Sequence, residues 1–421
     1  MQRVEVLIIG GGPAGLAAAI GAYEAGCRDI LVLEREEKLG GILKQCIHNG
    51  FGLKTFDEEL TGPEYAARYI DKVLRLGIPC RCGTTVLSVT ADKTVTAVSA
   101  GNGLEAFSAG AVILATGCRE RPRGSLATPG ERCAGIYTAG TAQKLTNLKG
   151  LMPGKEVVIL GSGDIGLIMA RRMTLLGARV HACVELMPYS SGLKRNIVQC
   201  LDDFGIPLLL GHTVVDIHGR ERLTGITVAA VDEARQPIPG TEREIPCDTL
   251  LLSVGLLPEN ELASMAGIPL TPSTGGPAVD EGLETAVAGI FSCGNALHVH
   301  DLVDFVSEEA MRAGESAYRY VQNTEKTAAR KLPVVPEYGV GGTVPQLVSA
   351  EAAGEIRFMF RPKNVYKNAF VVITAGEKEV FRKRYLILTP GEMVCISLAA
   401  EKLTGDSSTE AIRIRIEVSE A

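Results

Sequence analysis

A glycine-rich segment that occurs twice constrains the fold of this chain more than any other feature. The segment "VEVLIIGGGPAGLAAAI" begins with a β-branched run, places Gly10, Gly12 and Gly15 in a G-x-G-x-x-G pattern, and continues as an alanine-rich stretch. A helix through these glycines and Pro13 would be costly, whereas a strand that turns sharply into a helix uses them well. The segment therefore predicts a strand, a tight turn and a helix, and not a signal peptide or membrane anchor.

The same pattern recurs 151 positions later, in "KEVVILGSGDIGLIMARRMTLLGARVHACVE". Five positions match at this one offset: Gly10 with Gly161, Gly12 with Gly163, Gly15 with Gly166, Gly26 with Gly177, and Glu34 with Glu185. A single glycine pattern also occurs where packing alone requires a tight turn, so two ordinary βαβ units remain an alternative. Five matches at a constant offset instead favour two copies of one binding unit.

The residue types in the repeat fit the binding of dinucleotides. The glycines let a pyrophosphate approach the backbone, the helix N-terminus supplies N–H donors, and the acid ending the second strand accepts hydrogen bonds from ribose hydroxyls. Those acids are Glu34 and Glu185. Glu185 would repel a 2′-phosphate, and Arg171 and Arg172 lie on the predicted helix and not after the strand, so NAD is favoured over NADP. Two such sites predict that a bound flavin and a diffusing nicotinamide meet for hydride transfer.

Composition excludes several other classes of protein. The 421 residues predict two or three domains, and the net charge of -6 without a long basic block gives no footprint for nucleic acid or an anionic membrane. No segment reaches the roughly 18 uninterrupted apolar residues of a membrane span, so we expect a cytoplasmic protein. The eleven cysteines are scattered without a CxxC pair, and Cys80 and Cys82 come nearest to a cluster. We expect reduced cysteines and no metal site.

Three further segments resemble signatures of the flavoproteins with two dinucleotide-binding domains, the family of glutathione reductase, thioredoxin reductase and NADH oxidase. "AVILATG", ending at Thr116 and Gly117, is similar to the second flavin signature, and "LLLSVGLLPEN" is similar to the strand that closes the nicotinamide domain. "GIFSCGNAL" is similar to the third flavin segment, in which Gly294 and Asn295 replace the usual Gly-Asp pair. The resemblance implies bound FAD, with a negative charge removed at Asn295.

The resemblance also implies an α/β fold with two Rossmann-like domains. The FAD domain is expected to be discontinuous, in residues 1–122 and 259–327, with the NAD domain of residues 123–258 inserted. The stretch "QNTEKTAARKLPVVPEYGVGG" has the composition of a linker. Alternating segments with turns at "TAGEKE" and "LTPGEM" then predict a small antiparallel β-sandwich over residues 332–421. We expect this sandwich to dock a partner or to cover the FAD domain.

The motifs and the resemblance together name the expected cofactor contacts. For FAD they are Gly10, Gly12, Pro13, Ala14, Gly15, Glu34, Arg35, Gly41, Val86, Thr116, Gly117, Gly294 and Asn295. For NAD they are Gly161, Gly163, Asp164, Ile165, Gly166, Glu185 and Gly255. In the family, the helix after the third flavin segment points its N-terminus at the flavin ring, which implies that His298, His300, Asp301 and Asp304 lie near the flavin.

The candidates for chemistry at the flavin are Cys46, His48, His298 and His300. In "GILKQCIHNGFGL", Cys46 follows the "LGG" of residues 39–41 as the first redox cysteine of a disulfide reductase would, but the second cysteine is missing. Cys46 is either a single redox thiol whose pKa His48 lowers, or a cysteine that packs without reacting. His298 and His300 are either flavin-site residues or loop histidines, and no third metal ligand is evident.

A closer resemblance narrows the function. "GCRERPRGSLATPGERCAGIYTAGTAQKL", notably Thr138 to Gly140 and Gln143, is similar to the α subunits of opine oxidases, hydrogen cyanide synthases and dye-linked proline dehydrogenases. With "CIHNGFGL" and "HVHDLVDF", the chain most resembles the FAD and NAD oxidoreductases that accompany anaerobic glycerol-3-phosphate dehydrogenases. This implies an electron-transfer subunit beside a partner flavoprotein dehydrogenase. A self-sufficient NADH oxidase, peroxidase or disulfide reductase and a non-catalytic docking subunit remain alternatives, and the oligomeric state stays open.

Overall fold

The computed structural model describes residues 1–323, 330–405 and 408–418. Its α-helices are α1 Pro13–Glu24, α2 Gly62–Arg75, α3 Ala139–Lys149, α4 Asp164–Leu175, α5 Lys194–Cys200, α6 Glu261–Met265, α7 Val303–Gln322 and α8 Glu401–Thr404. Short 3-10 helices cover Gly41–Gln45, Arg123–Ser125, Asp202–Phe204 and Gly294–Ala296.

The first strands are β1 Gln2–Ile9, β2 Ile30–Leu33, β3 Asn49–Phe51, β4 Leu60–Thr61, β5 Cys80–Arg81, β6 Thr84–Val89, β7 Thr94–Ser99, β8 Gly103–Leu114 and β9 Cys118–Glu120. The next are β10 Ile136–Thr138, β11 Glu156–Leu160, β12 Arg179–Glu185, β13 Leu208–Leu210, β14 His212–His218, β15 Gly225–Ala230, β16 Arg243–Pro246, β17 Thr249–Leu252 and β18 Leu256–Pro258. The last are β19 Ile290–Ser292, β20 Lys331–Pro336, β21 Val340–Val344, β22 Leu347–Ser349, β23 Glu355–Pro362, β24 Tyr366–Ala375, β25 Lys378–Leu388, β26 Val394–Ala399 and β27 Ile412–Val418.

The described chain divides into two compact units. The first contains Met1–Lys44, Asn49–Cys118 and the described residues from Pro258 onward, and the second contains Gln45–His48 and Arg119–Leu257. The chain passes from the first unit to the second within β9 and returns within β18. The short segment of residues 45–48 also belongs to the second unit, so Cys46 and His48 are grouped with the second glycine repeat.

The first unit is built on a sheet of order β5-β2-β1-β8-β7-β6, in which β19 also pairs with β8. The strands β5, β2, β1, β8 and β19 run parallel, as the β-α-β pattern of the sequence predicts. Helix α7 packs closely on α1 because both helices carry glycine at the crossing. A Cβ on Gly21 would lie 2.2 Å from the Met311 carbonyl oxygen, and one on Gly314 would lie 2.0 Å from that of Ala18.

The second unit repeats this design. Its parallel sheet has the order β10-β17-β11-β12-β13, and an antiparallel sheet of order β14-β15-β16 accompanies it. Buried Val157, Ile159 and Leu251 from the parallel sheet pack with Leu167 and Met173 of α4. The expected α/β architecture with two Rossmann-like sheets is confirmed.

The C-terminal part of the first unit is a pair of small sheets, of order β22-β20-β27-β24-β25 and β21-β23-β26, around a shared apolar core. Two expectations were wrong here. The sandwich is not wholly antiparallel, because β20 and β27 pair in parallel. The expected linker over 322–342 contains β20 and β21, whose Leu332 and Val340 are buried; its residues 324–329 lie outside the described residues.

The prolines of β20 explain the second error. Pro333 ends the pairing of β20 with β22, and Pro336 ends the strand beside β27. Proline is tolerated at such positions because a strand that changes partners does not need every amide in the ladder. The turns predicted at "TAGEKE" and "LTPGEM" are confirmed, since they connect β24 to β25 and β25 to β26.

Candidate functional site

The first glycine turn leaves no room for side chains. Gly10 has a φ of +111°, and a Cβ there would lie 2.3 Å from the Ala115 carbonyl oxygen. A Cβ on Gly15 would lie 1.8 Å from the Gly10 carbonyl oxygen. Gly12 is the N-cap of α1 and provides no capping side chain, and Pro13 follows it. The N-cap position of α1 therefore offers no side chain to the first-turn amides of the helix.

Glu34 holds this turn from the end of β2. Its buried carboxylate accepts hydrogen bonds from the Gly11 amide at 2.6 Å and from the Glu36 amide at 2.7 Å. The "LGG" segment packs on the same turn, because the Gly40 amide donates to the Gly11 carbonyl at 2.8 Å. A Cβ on Gly41 would lie only 2.9 Å from the Gly12 Cα.

The second glycine turn repeats this construction around Gly161 and Gly166. Gly161 has a φ of +95°, and a Cβ there would lie 2.1 Å from the Ser253 carbonyl oxygen. A Cβ on Gly166 would lie 2.7 Å from the Ser253 Cβ. Glu185, at the end of β12, accepts hydrogen bonds from the Ser162 amide at 2.9 Å, the Ser162 hydroxyl at 2.5 Å and the Met187 amide at 2.9 Å.

Asp164 places an acid at the start of α4, where the first repeat has Pro13 at the start of α1. One carboxylate oxygen accepts hydrogen bonds from the Leu193 amide at 2.8 Å and the Asn196 side-chain nitrogen at 2.7 Å. Asp164 thus anchors the segment that follows β12 to the second glycine turn. The N-cap of α4, Gly163, again lacks a capping side chain.

Two later segments of the first unit meet the first turn. The Thr116 hydroxyl donates to the Glu259 carbonyl at 2.7 Å, and the Glu259 amide donates to the Gly117 carbonyl at 3.0 Å. Gly294 has a φ of +66°, and a Cβ there would lie 2.8 Å from the Cβ of Ala14 on α1. The structure therefore brings together three of the segments that the sequence predicts for FAD.

The other predicted contacts lie on the following elements. Val86 lies on β6 opposite Ala97, and exposed Arg35 comes directly after Glu34. Ile165 is the second residue of α4, and Gly255 follows β17 with a φ of +107°.

A buried cluster of two imidazoles and a carboxylate follows Gly294. The Nε2 atoms of His298 and His300 donate to the two oxygens of Glu309, at 2.7 Å and 3.2 Å. The side chains of His298, His300 and Glu309 are 5%, 1% and 0% exposed, so the whole cluster is shielded from water. The Gly294 amide also donates to Glu309, at 2.8 Å. The sequence had pointed to the histidines but not to Glu309, which is the seventh residue of α7 and belongs to no recognisable motif.

The electrostatics of this cluster follow from its burial. Burial opposes the charge on Glu309, but the two imidazoles hold the pKa of its carboxyl well below the usual range. Burial, followed by the proximity of His300, lowers the pKa of His298. Within the described part of the chain, this is the one group of three potential metal ligands whose donor atoms lie within 4.8 Å of one another.

The two aspartates near the cluster hold neighbouring segments. Asp304 accepts hydrogen bonds from the backbone amides of Gly52, Lys54 and Thr55 at 2.8 to 3.2 Å. Asp301 accepts from the Met393 amide at 2.6 Å and forms an ion pair with Arg361 of β23. The segment after the third flavin motif is thereby tied directly to the C-terminal sheets.

Cys46 lies in the second unit and contacts Gln143 of helix α3. The side-chain nitrogen of Gln45 donates to the Gly140 carbonyl at 2.9 Å and to the Gln143 side-chain oxygen at 3.1 Å. The Asn147 side chain donates to the Gln45 carbonyl at 2.9 Å, and the Cys46 thiol lies 3.8 Å from the Gln143 oxygen. The two sequence segments that carry the closer resemblance, around residues 46 and 143, are therefore in contact.

The surroundings of Cys46 oppose thiolate formation. Burial raises the pKa of the Cys46 thiol to about 12. Burial, then the charges of Arg195 and Arg171, lower the pKa of His48 to about 4. His48 is thus uncharged at neutral pH and does not supply the positive charge that the hypothesis of a low thiol pKa required. None of the eleven cysteines, all of which lie within the described residues, forms a disulfide.

Residues 4–319 match the family described as pyridine nucleotide-disulphide oxidoreductase. The chain belongs to this family. It is therefore an FAD-dependent oxidoreductase, and membership implies binding of FAD and NAD(P). The N-caps of α1 and α4, Gly12 and Gly163, carry no capping side chain, and this fits these groups together with the close glycine contacts, because both features let a pyrophosphate approach the backbone.

Similar proteins include subunits of larger enzymes. One subunit of the opine oxidase of Agrobacterium tumefaciens is 29% identical over 316 residues, which are 69% of this chain and 61% of that protein. Hydrogen cyanide synthase subunit HcnB of Pseudomonas protegens is 27% identical over 341 residues, 75% of this chain and 68% of that protein. The chain thus spans about three fifths to two thirds of the length of these relatives.

A solved structure shares the fold. The thioredoxin reductase of T. acidophilum superposes with a TM-score of 0.63 at 22% identity, covering 77% of this chain and all of that protein. Among the described residues, no helix has the length and apolar character needed to span a membrane.

Proposed function

We propose that this chain transfers hydride between NAD(H) and bound FAD as the electron-transfer subunit of a multi-subunit dehydrogenase. The observation that carries this proposal is the pair of matched turns, in which Glu34 and Glu185 hold the same hydrogen bonds in two units. One turn then serves FAD and the other serves the nicotinamide. The relatives named as subunits of opine oxidase and hydrogen cyanide synthase support the subunit role.

The second site selects NAD over NADP in this proposal. Glu185 is buried at the end of β12, where an adenine ribose lies when a dinucleotide binds such a turn. Its carboxylate would accept hydrogen bonds from ribose hydroxyls and repel a 2′-phosphate. Arg172 of α4 does not reverse this preference, because its guanidinium donates to the Asn147 side-chain oxygen at 2.9 Å.

The chain itself contributes binding and orientation. When bound, the two cofactors supply the redox chemistry, and no general base of the protein is required for hydride transfer between them. The glycine turns receive the pyrophosphates, while Thr116, Gly117, Gly294 and Asn295 line the first site. Electrons then leave for, or arrive from, a partner flavoprotein whose docking surface we place on the C-terminal sheets.

A stand-alone NADH oxidase, peroxidase or disulfide reductase is less well supported. Such chemistry would use the Cys46 thiolate, but burial raises the pKa of this thiol to about 12. The non-catalytic docking subunit is also less well supported, because both glycine turns keep the close contacts that dinucleotides require.

The test compares electron acceptors. The purified protein is mixed with NADH and, in separate assays, with dichlorophenolindophenol, oxygen, hydrogen peroxide or a low-molecular-weight disulfide. We expect turnover with the dye at least about tenfold faster than with the other three, because an electron-transfer subunit lacks its own terminal acceptor. Fast turnover with peroxide or a disulfide that disappears in Cys46→Ser would overturn the proposal. Gel filtration of a native extract then asks whether a second flavoprotein migrates with the chain.

A further inference from the structure

The flavin segment of residues 294–300 contains no acidic residue of its own. Its sequence is "GNALHVH", and the negative charge beneath it comes from Glu309 of α7. Glu309 has a side chain with no solvent exposure. A carboxylate buried so completely must have its charge compensated by hydrogen-bond donors, because burial of an unpaired charge costs several kcal/mol.

Three residues spread along the segment, Gly294, His298 and His300, each donate one hydrogen bond to the Glu309 carboxylate. The Gly294 amide donates to Oε1 at 2.8 Å, His300 donates to Oε1 at 3.2 Å, and His298 donates to Oε2 at 2.7 Å. The His300 amide in turn donates to the side-chain oxygen of Asn295 at 3.0 Å. One buried anion thus fixes both ends of the segment, and through His300 it also fixes Asn295.

One of the two fixed ends, Gly294, is also the end that touches the first glycine turn. Gly294 packs on Ala14 of α1, where a Cβ at position 294 would lie 2.8 Å from the Ala14 Cβ. A small movement of Gly294 would change the space beside the N-terminus of α1. The position of Glu309 therefore determines the shape of a surface that the proposed function gives to FAD.

A metal ion is a weaker explanation of the cluster. A tetrahedral zinc ion lies about 2.0 to 2.1 Å from each ligand atom, so neighbouring ligand atoms are roughly 3.3 Å apart. The His298 to Glu309 distance of 2.7 Å is instead that of a charge-assisted hydrogen bond. Arg312, on the same helix, also interacts with the charge of Glu309 and opposes a further cation.

We propose that Glu309 is a positioning residue for FAD, acting through Gly294, His298 and His300 without touching the cofactor. This inference rests on the proposed function only in taking Gly294 and Asn295 as FAD contacts. Glu309→Gln keeps the shape of the side chain, but it removes the negative charge and replaces one accepting oxygen with a donating NH2 group, so the charge-assisted hydrogen bonds that hold the segment are weakened.

The experiment measures FAD binding without turnover. Apoprotein of wild type, Glu309→Gln and the matched control Glu315→Gln is titrated with FAD, and the visible absorption and circular dichroism of the bound flavin are recorded. Glu315 lies on the same helix with a side chain 44% exposed. We expect the FAD Kd to rise at least about tenfold in Glu309→Gln, with altered flavin dichroism, because a hydrogen bond to a charged group contributes about that factor. Glu315→Gln should match wild type.

Other results would overturn the inference. An FAD Kd and flavin dichroism within twofold of wild type, with only a lower midpoint of urea unfolding, would show that Glu309 stabilises the fold and does not position the cofactor site. A stoichiometric metal in wild-type protein that is absent from Glu309→Gln would replace the hydrogen-bond explanation. If Glu309→Gln does not fold, His300→Gln, which keeps a donor toward Glu309, is compared with His300→Leu, and weaker FAD binding is expected only in the leucine variant. Because no nicotinamide is added, a failure of NADH reduction leaves this test unaffected.

Discussion

Glu34 and Glu185 occupy equivalent places in the two units, and each accepts a hydrogen bond from the amide of its own glycine turn. Gly11 donates to Glu34 at 2.6 Å, and Ser162 donates to Glu185 at 2.9 Å. The second oxygen of each carboxylate accepts from the amide two residues further along the chain. The internal repeat of the sequence is therefore preserved in the hydrogen bonds, which is the basis for assigning one nucleotide to each unit.

Blocking the second glycine turn is expected to impair the nicotinamide site while the FAD site stays intact. In Gly161→Ala the new Cβ would meet the Ser253 carbonyl at 2.1 Å, at a φ that alanine rarely adopts, so the turn must move. We expect normal FAD content and reduction by NADH slowed at least about tenfold, which corresponds to about 1.4 kcal/mol. Stopped-flow absorbance measures the reduction.

Gly124→Ala is the control for this variant, because Gly124 has no atom within 4 Å of the Cβ position and lies in the same unit. Reduction of Gly161→Ala at the wild-type rate would show that this turn does not bind the nicotinamide.

Neutralising Glu185 is expected to relax the preference for NADH. Glu185→Gln removes the charge that opposes a 2′-phosphate, while the amide oxygen still accepts from Ser162. We expect the ratio of kcat/KM for NADH to that for NADPH to fall about tenfold, since a change of one charge near a phosphate contributes about 1 to 2 kcal/mol. An unchanged ratio would place the selecting residues elsewhere, for example at Arg195 of α5.

Cys46 is expected to be dispensable. Because burial raises the pKa of its thiol to about 12, alkylation by iodoacetamide should be slow at pH 7 and should accelerate as the pH rises. Cys46→Ser should reduce the rate of flavin reduction by NADH less than about twofold. Site-resolved mass spectrometry measures the alkylation. Rapid modification of Cys46 at pH 7 would indicate a reactive thiolate and revive the disulfide or peroxide reductase hypothesis.

His48 gives the stability a dependence on pH. Its pKa is about 4 in the folded chain against an ordinary value of 6.5, so the unfolded chain binds a proton between these values and the folded chain does not. The contribution is complete above pH 6.5 and is lost as the pH falls toward 4, by at most about 3 kcal/mol. His48→Gln, compared with wild type by urea unfolding at pH 8 and pH 5, should lose less stability on acidification. Equal losses in both proteins would contradict the lowered pKa of His48.

The sequence predicted the glycine turns, their acids and the α/β architecture because backbone geometry restricts those positions to few residue types. It did not predict Glu309, since an acid inside a helix is usually solvated and its burial depends on His298 and His300 folding back onto it. Nor did it predict that residues 45–48 join the second unit, because the contacts of Gln45 with Gly140 and Gln143 connect positions almost a hundred residues apart. Long-range polar contacts of this kind have no local pattern.

Anaerobic titration of the purified protein with NADH, and separately with NADPH, tests the central claim most directly. The visible spectrum of the flavin is followed, and the absence of tryptophan from the chain allows flavin fluorescence to be recorded alongside it. Hydride transfer from NAD(H) to bound FAD predicts that about one equivalent of NADH bleaches the flavin band, whereas the same concentration of NADPH does not. A protein that carries FAD but is bleached by neither nucleotide would contradict the assignment of the second glycine turn to NAD.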